Sequence, residues 1–398
     1  MPRVKCPKCE KVETILKSGF VRGVQRYYCK ECIYHFTLIK KSRYRSSSFD
    51  NKRQTTIIDI AKAVGVSAST VSRALKNHED IGSRTKALVK QAAIELDYQP
   101  NPLAQSLNRR ETHVIGVVVP DIENPFFASV LSGIQHTASA SGYKVMIYQS
   151  NESHKTEAAN IQTIMNNWID GLLICHSKET QTFEHLKLQM KKGIPIVHFD
   201  RICEETATSK VLLDNVTGAE QIVTHLLNEG CQRIAVIAGP QHLYITKKRL
   251  EGYEKALKKA NMALNEHWIA YTDFTKPSIH NAIDNWLAEG TRPDAIFCIS
   301  DNSAILTMMH LKHLQIKIPE EICVAGFGND YTGRIIEPAL TTYDPHASKV
   351  GETATKLFFD QVISGDNFKI KTVTIEGELI VRASSLKKSR ESADLALS

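Results

Sequence analysis

Three observations predict a multidomain fold with a small cysteine-stapled ribbon, an all-α head and an α/β body. Two Cys-x-x-Cys pairs stand near the amino terminus, and Thr56 to Leu75 reads as two short amphipathic helices joined at Gly65. From Val114 onward, short β-branched runs alternate with helix-sized segments, the signature of parallel sheets with crossover helices. A chain of 398 residues with 42% hydrophobic residues has room and apolar mass for several such domains.

The first element is the ribbon, residues 1–39. Cys6-Pro-Lys-Cys9 and Cys29-Lys-Glu-Cys32 are separated by nineteen residues, the spacing of a zinc site. Four thiolates close a tetrahedral site with no position left for water, so one structural Zn2+ per chain is expected. Metal binding would then supply much of the folding energy of a segment with few other core residues; disulfides or idle thiols are the alternatives. With Lys17-Ser-Gly19 and Gly23-Val-Gln-Arg-Tyr-Tyr-Cys29, the segment is similar to the small zinc ribbons that precede DNA-binding regions in some insertion-sequence transposases. Arg22, Arg26, Tyr27, Tyr28 and Lys30 suit contact with phosphates and bases, or simply clothe a zinc hairpin. Residues 40–54, with Ser46-Ser-Ser48 and six basic side chains, read as a flexible tether.

The head, residues 55–100, follows from local signals. Ile57, Ile60, Ala61 and Val64 recur at three- and four-residue steps, Gly65 suits the left-handed turn that ends a helix, and Ser67 is a natural N-cap for a helix starting at Ala68. In that second helix Val71, Ala74 and Leu75 face inward. Ala68, Ser69, Ser72 and Arg73 point outward, where small and polar side chains fit a major groove and an arginine pairs with guanine or phosphate. Helix pairs with a glycine turn also occur in bundles, so context decides. Ser83 begins a third helix through Leu96, stopped by Tyr98-Gln-Pro-Asn-Pro102.

Charge distribution agrees with a polyanion partner for this part. Residues 1–110 hold 22 Lys and Arg against 9 Asp and Glu, whereas the remainder holds 28 against 34. A basic module on a mildly acidic body suggests two different tasks. Cys175, Cys203, Cys231, Cys298 and Cys323 lie mostly in apolar strand-like runs and read as buried free thiols of a reducing compartment. No apolar stretch is long enough to span a membrane, and Met-Pro-Arg-Val-Lys-Cys is not a signal peptide, so the cytoplasm is the expected location.

Several motifs in order carry a resemblance: the recognition segment, Tyr98-x-Pro-Asn101, Ala104-Gln-Ser-Leu107, the strand Val114 to Pro120 with Asn124-Pro-Phe-Phe127, and Pro338-Ala-Leu-Thr-Thr342. From Thr55 to about Ser385 the chain resembles the lac and galactose repressor (LacI) family of bacterial transcription regulators. The resemblance implies that Ser67, Ala68, Ser69, Ser72 and Arg73 contact operator bases or phosphates. It places Thr56, Arg84, Thr85, Tyr98 and Asn101 at backbone-positioning sites. Ala68 and Ser69, the pair that chiefly sets operator preference in such proteins, are small, which shifts direct readout toward Arg73. Residues 101–112 become a hinge helix and linker, with Leu107 wedging between bases in the minor groove. A homodimer on a pseudo-palindromic double-stranded operator is implied, without excluding a tetramer.

For residues 113–385 the resemblance implies a periplasmic-binding-protein-like clamp of two lobes, its ligand lying at the carboxyl ends of the strands. The strands expected are Val114–Val119, Val145–Tyr148, Gly171–Cys175, Ile194–Phe199, Ile234–Ala238, Ala295–Ile299 and Cys323–Phe327. The ligand residues carried over are Asn124, Phe126, Phe127, Asp200, Arg249, Phe274 and Asp301. Carboxylates and arginine bond paired hydroxyls while an aromatic ring stacks on a pyranose, so a sugar or sugar derivative is the expected effector. Relatives usually place a carboxylate directly after Gly-Phe or Gly-Tyr; here Gly326-Phe-Gly-Asn-Asp330 puts Gly328 there. Asn329 is taken as the replacement, with Asp330 the alternative, and a purine effector stays open. Residues 386–398 form a tail.

The fold class is therefore a zinc ribbon, an all-α helix-turn-helix head with a hinge helix, and an α/β two-lobed body. Its expected function is a DNA-binding transcriptional regulator, with repression the expected sense. The rival readings are a transposon-related DNA-binding protein and an enzyme with nuclease function. Against an enzyme, the chain has no G-x4-G-K-[ST], H-E-x-x-H or G-x-S-x-G motif, and its fifteen histidines are dispersed.

Overall fold

The computed structural model describes residues 4–387 apart from 22–23, 38–54, 100–111, 167–168 and 289. The expected tether, the hinge segment through residue 111 with Asn101 and Leu107, Arg22 and the tail beyond residue 387 lie outside the described residues. The chain divides into two compact units, 1–101 and 102–398.

In the first unit, β1 (Ile15–Val21), β2 (Val24–Cys29) and β3 (Tyr34–Thr37) form an antiparallel sheet in that order. Its fully buried set is Cys6, Cys29 and Phe36, with Val4, Ile15 and Tyr27 packed against them. Tyr27 therefore belongs to the ribbon's core, stacked on Phe36 with centroids 5.8 Å apart, while Tyr28 pairs with His35. So few apolar side chains cannot hold a sheet together unaided.

The head is three helices, α1 (Ile57–Val64), α2 (Ala68–Leu75) and α3 (Ser83–Glu95). Thr56 begins the first through Asp59, whose carboxylate accepts from Thr56 N at 2.9 Å and Thr56 Oγ1 at 2.7 Å. Gly65 ends it at φ +75°, a conformation costly for a side chain with Cβ, and its N–H donates to Ala61 O. Ser67 Oγ accepts from Thr70 N at 3.1 Å and starts α2, as expected. Ile60, Ala61, Val71, Ala74 and Val89 form the core, with Leu75 and Tyr98 packed on it.

The second unit holds two six-stranded sheets. Its strands are β4 (Val114–Val119), β5 (Lys144–Gln149), β6 (Gly171–Ile174), β7 (Ile196–Phe199), β8 (Ser209–Leu213), β9 (Ile234–Ala238), β10 (Ile269–Tyr271), β11 (Ala295–Cys298), β12 (Cys323–Phe327), β13 (Thr341–Asp344), β14 (Thr372–Ile375) and β15 (Glu378–Ile380). One sheet runs β14-β8-β7-β6-β4-β5, all parallel; the other runs β10-β9-β11-β12-β13-β15, parallel except for β15. The chain thus crosses between lobes after β8, after β13 and between β14 and β15. The crossover helices are α4 (Pro125–Ala140), α5 (His154–Asn166), α6 (Glu184–Lys191), α7 (Asn215–Asn228), α8 (Tyr244–Lys259), α9 (Lys276–Ala288), α10 (Asp301–His313), α11 (Tyr331–Ile335) and α12 (Ala347–Ser364).

The seven expected strands are present within one or two residues of their bounds; six are apolar runs buried on both faces, and β5, at the sheet edge with Met146 and Ile147 exposed, is the exception. Thr341–Asp344 was not expected, since its sequence is polar. Its buried hydroxyls are satisfied: Thr341 Oγ1 donates to Arg382 O at 2.8 Å and Thr342 Oγ1 to Asp301 Oδ1 at 2.6 Å. The five scattered cysteines are buried and free, as expected. Where α4 crosses α12, a Cβ on Gly351 would collide with Val130 O and stand 2.9 Å from Ile134 N, so the glycine permits this close approach.

Candidate functional site

The outward face of α2 carries the predicted DNA-reading residues. Ser69 and Arg73 are exposed and Ala68 and Ser72 half-buried, while Val71 and Ala74 point into the head. Ser67 is exposed but its hydroxyl caps the helix and meets Ser69 Oγ at 2.8 Å. Arg84 is exposed and Thr85 half-buried at the start of α3. Tyr98 is half-buried against the head's core, and that burial raises its phenol pKa above the ordinary value. An N-capped helix with a small, polar outer face and one arginine is a shape that enters a major groove.

The four ribbon cysteines converge. Their Sγ atoms all lie within 4.8 Å of one another, and Cys9 Sγ and Cys29 Sγ, one from each pair, are 3.6 Å apart. Zn–S bonds of about 2.3 Å give tetrahedral S–S edges of about 3.8 Å, so this donor set fits Zn2+.

In the body, a cavity of about 210 Å³ is lined by residues at strand ends of both lobes. Seven of the predicted ligand residues meet there: Asn124, Phe126, Phe127, Asp200, Arg249, Phe274 and Asp301. Asn124 caps α4, its Oδ1 accepting from Phe126 N at 3.0 Å. Phe127 belongs to the core and still lines the cavity, meeting Phe126 at an interplanar angle of 74°. Arg249 lies over Phe327 at 3.7 Å, donates Nε to Asn215 Oδ1 at 2.8 Å and Nη1 to Ile299 O. Burial lowers its pKa to about 10, opposed by Asp200. Asp200 follows β7 at φ +58°, and burial raises its carboxyl against the pull of Arg249 and Arg201.

Asn329 does not join them. Its Oδ1 accepts from Arg382 Nη2 at 2.6 Å and its Nδ2 donates to Asp344 Oδ2 at 2.8 Å, so it faces away from the ligand cavity. Asp330 lines the cavity instead. Its N–H donates to Asp301 Oδ2 at 2.8 Å, leaving two buried carboxyls side by side. Burial pushes Asp301 up to about 6, and burial together with Asp301 pushes Asp330 up to about 7.

Sequence reasoning missed three further residues. Arg201 is buried, pairs with Glu152 at 2.7 Å, and stands near Phe127 and Phe274 at 5.8 and 5.9 Å. Lys178, from the lobe of β4–β8, donates Nζ to Asp273 O at 2.8 Å, and its own carbonyl accepts from His242 Nε2 at 2.7 Å, joining the two lobes beside the cavity. All three follow the carboxyl end of a strand, and that rule was the available signal. The arrangement offers an aromatic wall, buried cations and two carboxyls of adjustable charge around a small volume, which suits recognition of a compact polar molecule.

A family model described as "Periplasmic binding proteins and sugar binding domain of LacI family" matches residues 112–383, and one described as "Bacterial regulatory proteins, lacI family" matches residues 56–101. The chain belongs to the LacI family. The HTH-type transcriptional repressor CytR of Escherichia coli (strain K12) is 32% identical over 330 residues, 83% of this chain and 96% of the relative. The structure of a transcriptional regulator CelR–cellobiose complex superposes with a TM-score of 0.62 at 27% identity, covering 83% of this chain and all of that one. The lac repressor dimer bound to operator and the anti-inducer ONPF shares the fold with a TM-score of 0.73 at 22% identity, over 84% of this chain and all of that one. This LacI-family chain is a DNA-binding transcription regulator controlled by a small-molecule effector. Both family models lie carboxyl-terminal to the cysteine ribbon. Among the described residues no helix is long and apolar enough to cross a membrane.

Proposed function

We propose that this regulator is a repressor that binds a two-fold operator as a homodimer and releases or grips it according to a small carbohydrate-type effector. The observation that carries the effector class is the cavity itself. Phe126, Phe127 and Phe274 offer apolar faces, while Arg249, Asp200, Asp301 and Asp330 offer donors and acceptors to clustered hydroxyls. The relative CelR, solved with cellobiose, supports the same class. Effector binding closes or twists the lobes, the hinge residues 101–112 change their pairing, and Leu107 gains or loses its wedge in the minor groove. Arg73 reads a base pair and Ser67, Ala68, Ser69 and Ser72 complete the groove contact. Thr56, Arg84, Thr85, Tyr98 and Asn101 hold the phosphate backbone.

The ribbon, residues 1–39, takes one structural Zn2+ through Cys6, Cys9, Cys29 and Cys32 and extends the DNA footprint. The proximity of the four thiols supports the zinc site, and the ribbon's exposed Lys30 with the basic charge of residues 1–110 supports the contact with DNA. Gel-shift titration of the full-length protein on its own upstream DNA, with and without a panel of sugars, sugar acids, purines and nucleosides, tests the effector reading. A sugar that shifts the midpoint is expected. A response to purines or nucleosides alone would reassign the effector class.

A further inference from the structure

A second polar cluster, in the lobe of β4–β8, has no part in the reading above. Glu157, in the first turn of α5, is fully buried. Its carboxylate accepts from His176 Nδ1 at 2.8 Å, His185 Nε2 at 2.9 Å, Ser177 N at 2.6 Å and Thr180 Oγ1 at 3.0 Å. His154 begins the same helix three residues earlier and so projects from the same side. Its ring meets that of His185, on α6, edge-on with centroids 5.0 Å apart. One ligand atom from each of His154, Glu157 and His185 lies within 4.8 Å of the others. His154 is half-buried and the His185 side chain is 10% exposed, both beside the fully buried carboxylate. His185 Nδ1 is buried without a partner, so the protein alone does not satisfy that ring.

We propose that His154, Glu157 and His185 bind one divalent transition-metal ion. Two imidazoles and one carboxylate are the donors of Zn2+, Fe2+, Ni2+ or Mn2+ sites, whereas Ca2+ and Mg2+ prefer all-oxygen cages. Three protein ligands leave coordination positions for water. His176 stays behind the ligands: its Nδ1 holds Glu157 and its Nε2 shares a hydrogen bond with His198 Nδ1 at 3.0 Å, the kind of outer partner that orients a ligating carboxylate. Only an imidazole nitrogen free of its proton ligates a metal, so the ion competes with protons for the site.

The cluster is joined to the effector cavity by one short loop. Ser177 and Thr180 bond Glu157, and Lys178 between them bonds Asp273 and accepts from His242 across the lobes. Metal that repositions Glu157 therefore acts on the segment that links the lobes, and any coupling to the effector is reciprocal.

The test is metal stoichiometry in the full-length protein, stripped with chelator and titrated with Co2+. Two equivalents per chain are expected, one with the near-ultraviolet charge-transfer absorption of thiolate ligation and one with only visible d–d bands. His154→Ala should weaken the second equivalent by roughly 100-fold or more while leaving the first unchanged. Cys6→Ser with Cys9→Ser should do the reverse. His154 is half-buried, and unchanged unfolding of the metal-free variant checks that the lobe is intact. A wild-type protein with no equivalent lacking thiolate charge transfer, or one whose such equivalent is indifferent to both His154→Ala and His185→Ala, would overturn the assignment.

Discussion

Replacing Asp330 by Asn should stabilise the ligand-free body above pH 7 and leave it nearly unchanged below about pH 4. Asp330 is 7% exposed and lies against Asp301, whose oxygens are already engaged by Asp330 N and Thr342 Oγ1. Burial and the neighbouring carboxyl raise Asp330 to about 7, against an ordinary value of 3.8. A carboxyl raised in the folded state holds a proton there that the unfolded chain has already released. Its contribution is therefore fully present below about pH 4, is lost as pH rises toward 7, and stays lost above. At 1.36 kcal/mol per pH unit, a rise of roughly 3 units caps the cost of ionisation at about 4 kcal/mol. Part of that cap is repulsion shared with Asp301, and water reaching the cavity reduces it further, so a gain of about 1–2 kcal/mol at pH 8 is expected. Asn keeps the shape, keeps the backbone N–H to Asp301 and serves equally as the residue preceding α11. Urea unfolding followed by tryptophan fluorescence reports the body alone, because Trp168, Trp268 and Trp286 all lie in it. Equal stabilities at pH 8, or a difference independent of pH, would refute the reasoning.

Three other outcomes test separate parts of the molecule. Arg73→Ala should cost about 1–3 kcal/mol of specific operator binding and relax discrimination at one base pair, with non-specific binding largely kept, as gel shifts at fixed salt would show. Gly351→Ala improves helix propensity by about 1 kcal/mol yet should destabilise the body by roughly 1–3 kcal/mol, because its Cβ runs into Val130 O; a raised melting temperature would show that α4 and α12 are not so closely apposed. Cys6→Ser with Cys9→Ser should abolish one equivalent of bound zinc by elemental analysis while leaving the tryptophan-reported unfolding midpoint in place, and a shifted midpoint would show that ribbon and body do not fold independently.

The parts legible in the sequence are those whose cause is local. Gly65, Ser67 and the three-and-four spacing of Ile57, Ile60, Ala61 and Val64 fix two helices and their turn within twenty residues. The doubly buried strands β4, β9 and β12 announce themselves by composition alone. The cleft was legible through one nonlocal rule, that ligands collect at the carboxyl ends of parallel strands. That rule reached Asp200 but passed over Arg201 beside it, because nothing nearby says that Glu152 will pair with it. The choice between Asn329 and Asp330 turned on distance in the same way. Arg382, on the chain's last return to this sheet, and Asp344 take up both ends of the Asn329 amide. The backbone of Asp330 is then bound to Asp301, and its carboxyl is left to the cavity. The histidines looked dispersed for a related reason: residues 154, 176, 185 and 198 are spread over three elements and a loop, and only the adjacency of β6 and β7 brings His176 to His198 and closes the group around Glu157. A side chain's task in this chain is set by the partner that the sheet order brings to it, so two neighbours in sequence take opposite roles and distant ones share a site.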